Sequence, residues 1–369
     1  MKQKIRLGIL FGGRSGEHDV SLLSAASVLK ALDPVKYEVV PIGITREGHW
    51  RVGSGALQLL PEILESGQPV TPSADPTGPK LLPLDSAAPV PASRPEVDVI
   101  FPVLHGTFGE DGTVQGLLEL ADVAYVGAGV VASAVGMDKD VMKRLFRDAG
   151  LPLVPWVLVL RSEWERSPAQ VRRRIERRLR YPLFVKPANL GSSVGISKVR
   201  QARELPAAVN LAARYDRKIL VEKAVEAREI ECSVLGNDNP EASVPGEVIP
   251  VNEFYDYEAK YLKEGSELII PAQLSARQRK RVQELALGAF KAIDCAGMAR
   301  VDFLLDRPTG KVYVNEINTI PGFTSIRMYP KLWEASGVPY PKLLDRLIEL
   351  ALERHREKTR THYEYKPRS

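Results

Sequence analysis

Residues 312–325 read VYVNEINTIPGFTS. Val312, Val314 and Ile317 are apolar and Tyr313 suits a pleated surface, so the stretch opens as a strand. Glu316 and Asn318 then stand two residues apart, on one side of that strand, before a Pro-Gly turn. No nucleophile accompanies them. The preceding strand-like run, GMARVDFLLD at 297–306, carries Arg300 and Asp302 at the same two-residue spacing. If the short RPTG segment pairs the two runs, three oxygen-bearing side chains converge beside one guanidinium. Hard oxygen donors with few other partners are what Mg²⁺ takes when substrate phosphates complete its octahedron. Phosphoryl transfer asks mainly for positioning and charge neutralisation, which accounts for the missing nucleophile. A surface hairpin with its charges facing water would read the same way.

Upstream, VKPANLGSSVG at 185–195 has a strand delivering Lys186 into a loop of small residues. Backbone N–H groups of such a loop, with the hydroxyls of Ser192 and Ser193, are natural partners for phosphate oxygens. The lysine precedes the glycines, so this is not the G-x-x-x-x-G-K-[ST] loop, and a plain turn is the alternative.

The first segment alternates strand-like and helix-like stretches: KIRLGILFGG (4–13), an amphipathic run over 20–32, YEVVPIGI (37–44), VDVIFPVLHG (97–106) and TVQGLLELA (113–121). That order predicts a parallel sheet with crossover helices. His105 falls at a strand's carboxyl end, where such a sheet has its ligand crevice, although a lone histidine there is more often a hydrogen-bonding partner. Residues 53–95 are rich in Pro, Gly, Ser and Ala and read as a surface insertion with short structure. Residues 137–149 predict a helix ended by Gly150 and Pro152. Strands follow at 154–160 and 182–187 around an Arg-rich helix, then strands at 218–225 and 229–236. A polar, aromatic stretch at 252–266 reads as a long loop. A helix over 275–293, the two strands already described and a last helix within 341–356 complete the chain, whose final dozen residues are polar.

Other signals have bland readings. VRRRIERRLR at 171–180 repeats an apolar residue every fourth position, which makes it a solvated amphipathic helix and not an RNA-binding run. VGAGVVA at 126–132 fits G-x-G-x-x-A loosely, yet lacks an acidic residue in the right context and reads as a tight strand-to-helix turn. The two cysteines, Cys232 and Cys295, form no CxxC pattern. A formal charge of +5 over 369 residues permits an anionic small ligand without arguing for nucleic acid. No apolar run approaches the roughly 20 residues that span a bilayer, and the N-terminal apolar run carries Arg6, so the expected location is the cytoplasm.

Six stretches taken in order, FGGRSGEHDVSLLSA, PVLHGTFGEDGTVQG, MDKDVMK, VKPANLGSSVG, VNEFYDYEAKY and NEINTIPGFTS, give nearly the whole chain a pattern that resembles the ATP-grasp ligases, and within them the D-alanine:D-alanine ligase family. The resemblance implies an α/β, three-domain architecture: an N-terminal parallel-sheet domain (1–127), then central (128–224) and C-terminal (225–357) α+β subdomains that sandwich ATP, and a polar tail (358–369). It implies that Lys139 and Lys186 hold ATP phosphates, with Ser193, Lys260 and Asn315 in the nucleotide site. Glu222, Lys223 and Val225 face the adenine in this pattern, and Glu229 the ribose. Asp302, Glu316 and Asn318 bind two Mg²⁺ or Mn²⁺. Glu17 receives the first D-alanine and joins Ser192 and Tyr261 in a triad over the site, while Arg300 and the Gly322 N–H meet the developing oxyanion. His105, Tyr255, Arg327 and Met328 complete the substrate pockets. The 252–266 loop becomes a lid, and the partners are D-alanine, ATP and a second copy of the chain. Arg327 stands where the family usually has serine, a position that helps bind the second substrate's carboxylate. Tyr261 favours an amine acceptor, and D-serine stays open beside D-alanine, with D-lactate and a non-catalytic nucleotide-binding role as further alternatives.

Overall fold

Apolar runs in the first third of the chain need two covered faces, and the sheet that they build has both. The computed structural model describes residues 3–53, 60–84, 96–191, 194–249, 267–324 and 326–363. Strand β1 (Ile5–Gly12) is followed by helix α1 (His18–Ala31), β2 (Tyr37–Ile44), β3 (Trp50–Val52), α2 (Leu60–Ser66), β4 (Gln68–Pro72), β5 (Leu81–Pro83), β6 (Val99–Pro102), α3 (Thr113–Leu120) and β7 (Ala124–Tyr125). The sheet order is β5-β4-β3-β2-β1-β6-β7. Its β2-β1-β6-β7 half is parallel, as expected from the alternation. Its other half is antiparallel and is built partly from the expected surface insertion. The prolines of QPVTP and LLP fit there, since a missing N–H is tolerated toward a sheet's edge.

VGAGVVA forms the tight turn expected: Gly127 has φ +98° and Gly129 precedes helix α4 (Val130–Met137). The helix expected over 137–149 forms with a later start, at Lys139, because Asp138 is its N-cap. That residue is extended, and its carboxylate accepts from the N–H groups of Asp140 and Val141, which caps helix α5 (Lys139–Asp148). A second sheet then combines β8 (Trp156–Leu160), β9 (Leu183–Pro187), β10 (Ser197–Val199) and β11 (Lys218–Lys223) in the order β10-β9-β11-β8, all antiparallel. Helices α6 (Arg161–Arg166), α7 (Pro168–Arg178) and α8 (Leu205–Ala213) intervene. Val171, Ile175 and Leu179 pack on Val157, Val159, Val185, Ile219 and Val221. Lys186, Lys218 and Glu222 alternate with that apolar set and so face the other way.

The third sheet contains β12 (Ala227–Gly236), β13 (Glu241–Ala242), β14 (Gly246–Ile249), β15 (Glu267–Ile269), β16 (Gly297–Asp306) and β17 (Val312–Asn318). Helix α9 (Ala276–Ala292) covers one face. Ser275 caps it by accepting from the Gln278 N–H, and Gln278 reaches back to the Ser275 N–H. Val282, Leu285, Ala289 and Phe290 of α9 pack on Ile230, Cys232, Val301 and Val314. Helix α10 (Met328–Ala335) was not anticipated; its Pro330 sits in the first turn, where no N–H is required. Among the described residues no helix is long and apolar enough to cross a membrane.

Helix α11 (Tyr340–Lys358) returns to the first sheet: Leu343, Leu344 and Leu347 share a core with Leu7, Ile9 and Phe101. Gly297, at φ +73°, starts β16 against Gly127, and a methyl group there would stand 3.2 Å from the Gly127 backbone. Leu347 is fully buried. Leu347→Ala is expected to lower unfolding stability by about 3 kcal/mol, through lost transfer energy and a residual cavity, as read from the urea midpoint.

Candidate active site

Strands β16 and β17 pair antiparallel with Arg300 opposite Asn318 and Asp302 opposite Glu316. The register shifts between Asp302 and Phe303, which leaves Asn315 as the extra residue of a bulge. Because Val314 and Ile317 both enter the α9 core, the bulge lets Glu316 and Asn318 turn to the open face beside Arg300 and Asp302. The Arg300 guanidinium donates from Nε and Nη2 to the two Asp302 oxygens, both at 2.7 Å, and Glu231 Oε2 of β12 lies 3.1 Å from Nε. Burial works against the charge on Arg300, but Asp302 and Glu231 outweigh it and hold the pKa well above its ordinary value. Asn318 Oδ1 accepts from the Ile320 N–H at 3.0 Å and so shapes the turn toward Gly322. At that turn a methyl on Gly322 would stand 3.2 Å from Arg327 Cγ, which puts the Arg327 stem over the glycine.

Across the cleft, Lys139 Nζ donates to the Leu190 carbonyl at 3.0 Å and stands 3.4 Å from Glu316 Oε2, linking α5 and the β9–β10 loop to the third sheet. Lys186 Nζ pairs with Glu222 Oε2 at 2.5 Å and Lys143 Nζ with Glu222 Oε1 at 2.8 Å. Burial would raise the Glu222 carboxyl, but the two ammonium groups hold it down to about 2. Burial would lower Lys186, but Glu222 and Glu316 outweigh it and raise that group. For Lys143 burial prevails and lowers the pKa. Lys223 is exposed at the end of β11, Val225 is half-buried just beyond it, and Glu229 lies on β12, on the same face as Glu231.

The first sheet closes one end. Glu17 directly precedes α1, and methyl groups placed on Gly106 and Gly191 would fall 2.8 and 3.6 Å from its Oε2, so its carboxylate lies between two loops from different sheets. His105 is buried, with Nε2 3.0 Å from Ser24 Oγ, Nδ1 3.2 Å from the Ile320 carbonyl oxygen and Nδ1 3.7 Å from Glu110 Oε1. That makes it a tie between the first sheet and the Asn318–Gly322 turn. Burial pushes the Glu110 carboxyl up, and Glu17 adds to the effect. The Met328 side chain is buried with Val248 and Leu332. Ser192, Ser193, Tyr255, Lys260 and Tyr261 lie outside the described residues.

Asp302, Glu316, Asn318, Arg300, Lys139 and Lys186 thus gather between two sheets, with Glu231, Glu222 and Lys143 as ion-pair partners, an arrangement suited to polyphosphate. Family models match both parts of the chain: "D-ala D-ala ligase N-terminus" over residues 6–128 and "D-ala D-ala ligase C-terminus" over 145–349. The chain belongs to the D-alanine–D-alanine ligase family. The D-alanine–D-alanine ligase of Heliobacterium modesticaldum is 55% identical over 369 residues, covering 100% of both chains. That of a Thermoanaerobacter species is 53% identical over 361 residues, 97% of this chain and 99% of its own. The solved D-alanine-D-alanine ligase from Coxiella burnetii superposes with TM-score 0.84 at 41% identity, covering 97% of this chain and 96% of that one. The VanG D-Ala:D-Ser ligase from Enterococcus faecalis also gives 0.84, at 38% identity over 95% and 100% of the two chains. The fold is the α/β ATP-grasp architecture.

In this ligase-family chain the cleft includes three groups that sequence reasoning passed over: Lys143, Glu231 and Glu110. Lys143 follows Lys139 by one helical turn in MDKDVMK, and Glu231 follows Glu229 by one strand repeat, so periodicity could have found both. Glu110 carries no such signal.

Glu222→Gln leaves two buried ammonium groups on a neutral amide, and should lower unfolding stability by about 3 kcal/mol near neutral pH. Because the folded pKa of Glu222 lies below its unfolded value, the carboxylate's contribution is complete above the ordinary value of 4.5 and is lost as pH falls through about 2. The stability gap between wild type and variant should therefore narrow over that window in urea titrations.

Proposed function

We propose that this chain joins two D-alanines into D-alanyl-D-alanine with ATP, by way of D-alanyl phosphate, as a cytoplasmic step in supplying peptidoglycan precursor. The observation that carries the reading is Arg300, oriented by Asp302 and Glu231 on the open face of the third sheet beside Glu316 and Asn318. Relatives named D-alanine–D-alanine ligase at 51–55% identity support it.

In this reading Lys139 and Lys186 receive the ATP phosphates, with Ser193, Lys260 and Asn315 alongside. Glu222, Lys223 and Val225 border the adenine and Glu229 the ribose. Among the described residues no group of three or more His, Cys, Asp or Glu stands together as a metal cluster. A pair of carboxylates with one amide oxygen is nevertheless the donor set that Mg²⁺ uses when nucleotide phosphates fill its remaining positions. Asp302, Glu316 and Asn318 would hold two Mg²⁺ or Mn²⁺ ions, which supply neutralisation of phosphate charge when bound. The domain division at 127/128 and 224/225, with a polar tail from 358, belongs to the same reading, as does a homodimer through the N-terminal domain.

Glu17 binds the ammonium group of the first D-alanine, near His105 and within the triad that Ser192 and Tyr261 complete. That substrate's carboxylate attacks the γ-phosphorus, and ADP leaves. The free amine of the second D-alanine, positioned by Arg327, Tyr255 and Met328, attacks the acyl carbon. As the C–N bond forms, charge grows on the carbonyl oxygen, which Arg300 and the Gly322 N–H receive. The amine gives up a proton and inorganic phosphate departs. Two carboxylates already orient Arg300, so little reorganisation accompanies charge development. D-Serine as acceptor is the second reading, left open because Arg327 stands where the family usually has serine; in the first reading Arg327 grips the carboxylate of the second D-alanine.

Phosphate release with ATP and Mg²⁺ should occur with D-alanine alone and not with L-alanine, giving D-alanyl-D-alanine by mass spectrometry. A requirement for D-serine or D-lactate would reassign the acceptor, and release with none of these acids would remove the ligase reading. Arg300→Ala should lower kcat by roughly 10²–10³-fold, as loss of one oxyanion donor does, while ATP affinity changes little. Unchanged turnover would exclude Arg300 from the oxyanion site.

A further inference from the structure

Helix α5 presents two lysines one turn apart to the cleft, and the mechanism above uses only Lys139. Lys143 has a side chain just 1% exposed, with its Nζ 2.8 Å from Glu222 Oε1. Lys186 takes the other oxygen of the same carboxylate at 2.5 Å. One buried carboxylate from β11 therefore serves two buried ammonium groups, one from α5 and one from β9. Taken alone, Lys186 and Glu222 would form a neutral pair, and an approaching anion would meet a dipole instead of a charge. With Lys143 protonated opposite Glu222, the third member leaves the cluster with a net charge of +1 in a wall shielded from water, where a charge acts over a longer range. Packing does not require this arrangement, since buried ion clusters are often replaced by apolar groups without loss of stability. Glu316, the next carboxylate across the cleft, is engaged by Lys139 at 3.4 Å, and the Trp156 ring centroid lies 5.7 Å from Lys143 Nζ.

We propose that Lys143 is a positioning residue for the nucleotide: by neutralising Glu222 it leaves the Lys186 ammonium available to the phosphates of ATP. The inference rests on the reading that Lys186 binds phosphate. It distinguishes Lys143 from a packing residue because its effect is confined to the charged part of the ligand.

The test compares Mg²⁺-supported ADP binding with adenosine binding by calorimetry in wild type, Lys143→Met, Lys186→Met and the double variant Lys143→Met/Glu222→Gln. Lys143→Met should reduce the ratio of ADP to adenosine affinity by roughly tenfold or more. The double variant, in which no carboxylate competes for Lys186, should bring the ratio back to within about threefold of wild type. An unchanged ratio in Lys186→Met removes the phosphate role of Lys186 and the inference with it. If Lys186→Met lowers the ratio but Lys143→Met weakens ADP and adenosine equally, Lys143 serves packing alone and the inference is overturned. Should Lys143→Met fail to fold, the double variant decides: a wild-type ratio supports the inference, and a depressed one overturns it.

Discussion

A slip of β17 along β16 by one residue would send Glu316 and Asn318 into the apolar layer beneath α9, so the register of this hairpin is the constraint on which the cleft depends. Val301, Val314 and Ile317 enforce it from below, and the bulge at Asn315 adjusts phase by one residue so that apolar side chains stay down on both sides of it. The polar face then has Arg300, Asp302, Glu316 and Asn318 within two rungs of one ladder. The chemistry proposed for this protein is a by-product of how its core residues choose their side of a sheet.

Charge in the cleft is organised as linked sets instead of isolated pairs. Asp302 and Glu231 share Arg300, Lys186 and Lys143 share Glu222, and Lys139 bridges to Glu316. Each ion is pre-oriented by a neighbour of opposite sign, which limits the reorganisation that a polyanionic ligand demands. For Arg300, Lys186 and Glu222 the partner outweighs the loss of water, so burial does not discharge them; Lys143 is shifted the other way, its charge opposed by burial and supported by Glu222.

Strands were legible because their signal is local. YEVVPIGI and GMARVDFLLD occupy the residues read from the sequence, and the Arg300/Asp302 and Glu316/Asn318 spacings match the open face of the hairpin. The helix at 139–148 was legible apart from its first two residues, since a cap residue such as Asp138 fits the apolar pattern without being helical, whereas α10 went unread, its Pro330 lying in the first turn. Pairing partners were the least legible. That Glu222 would meet Lys143 and Lys186, or His105 the Ile320 carbonyl, depends on elements that are distant in sequence and adjacent only through packing.

Helix α11 closes the core of a sheet whose first strand begins at Ile5, so β1 and α11, far apart in sequence, meet in one hydrophobic cluster. A ribosome delivers such a chain from one end only. The residues of α11 that complete this core are synthesised after both other sheets. Order of synthesis and order in the fold therefore differ, and α11 ties the first sheet to β12 and β16 of the third.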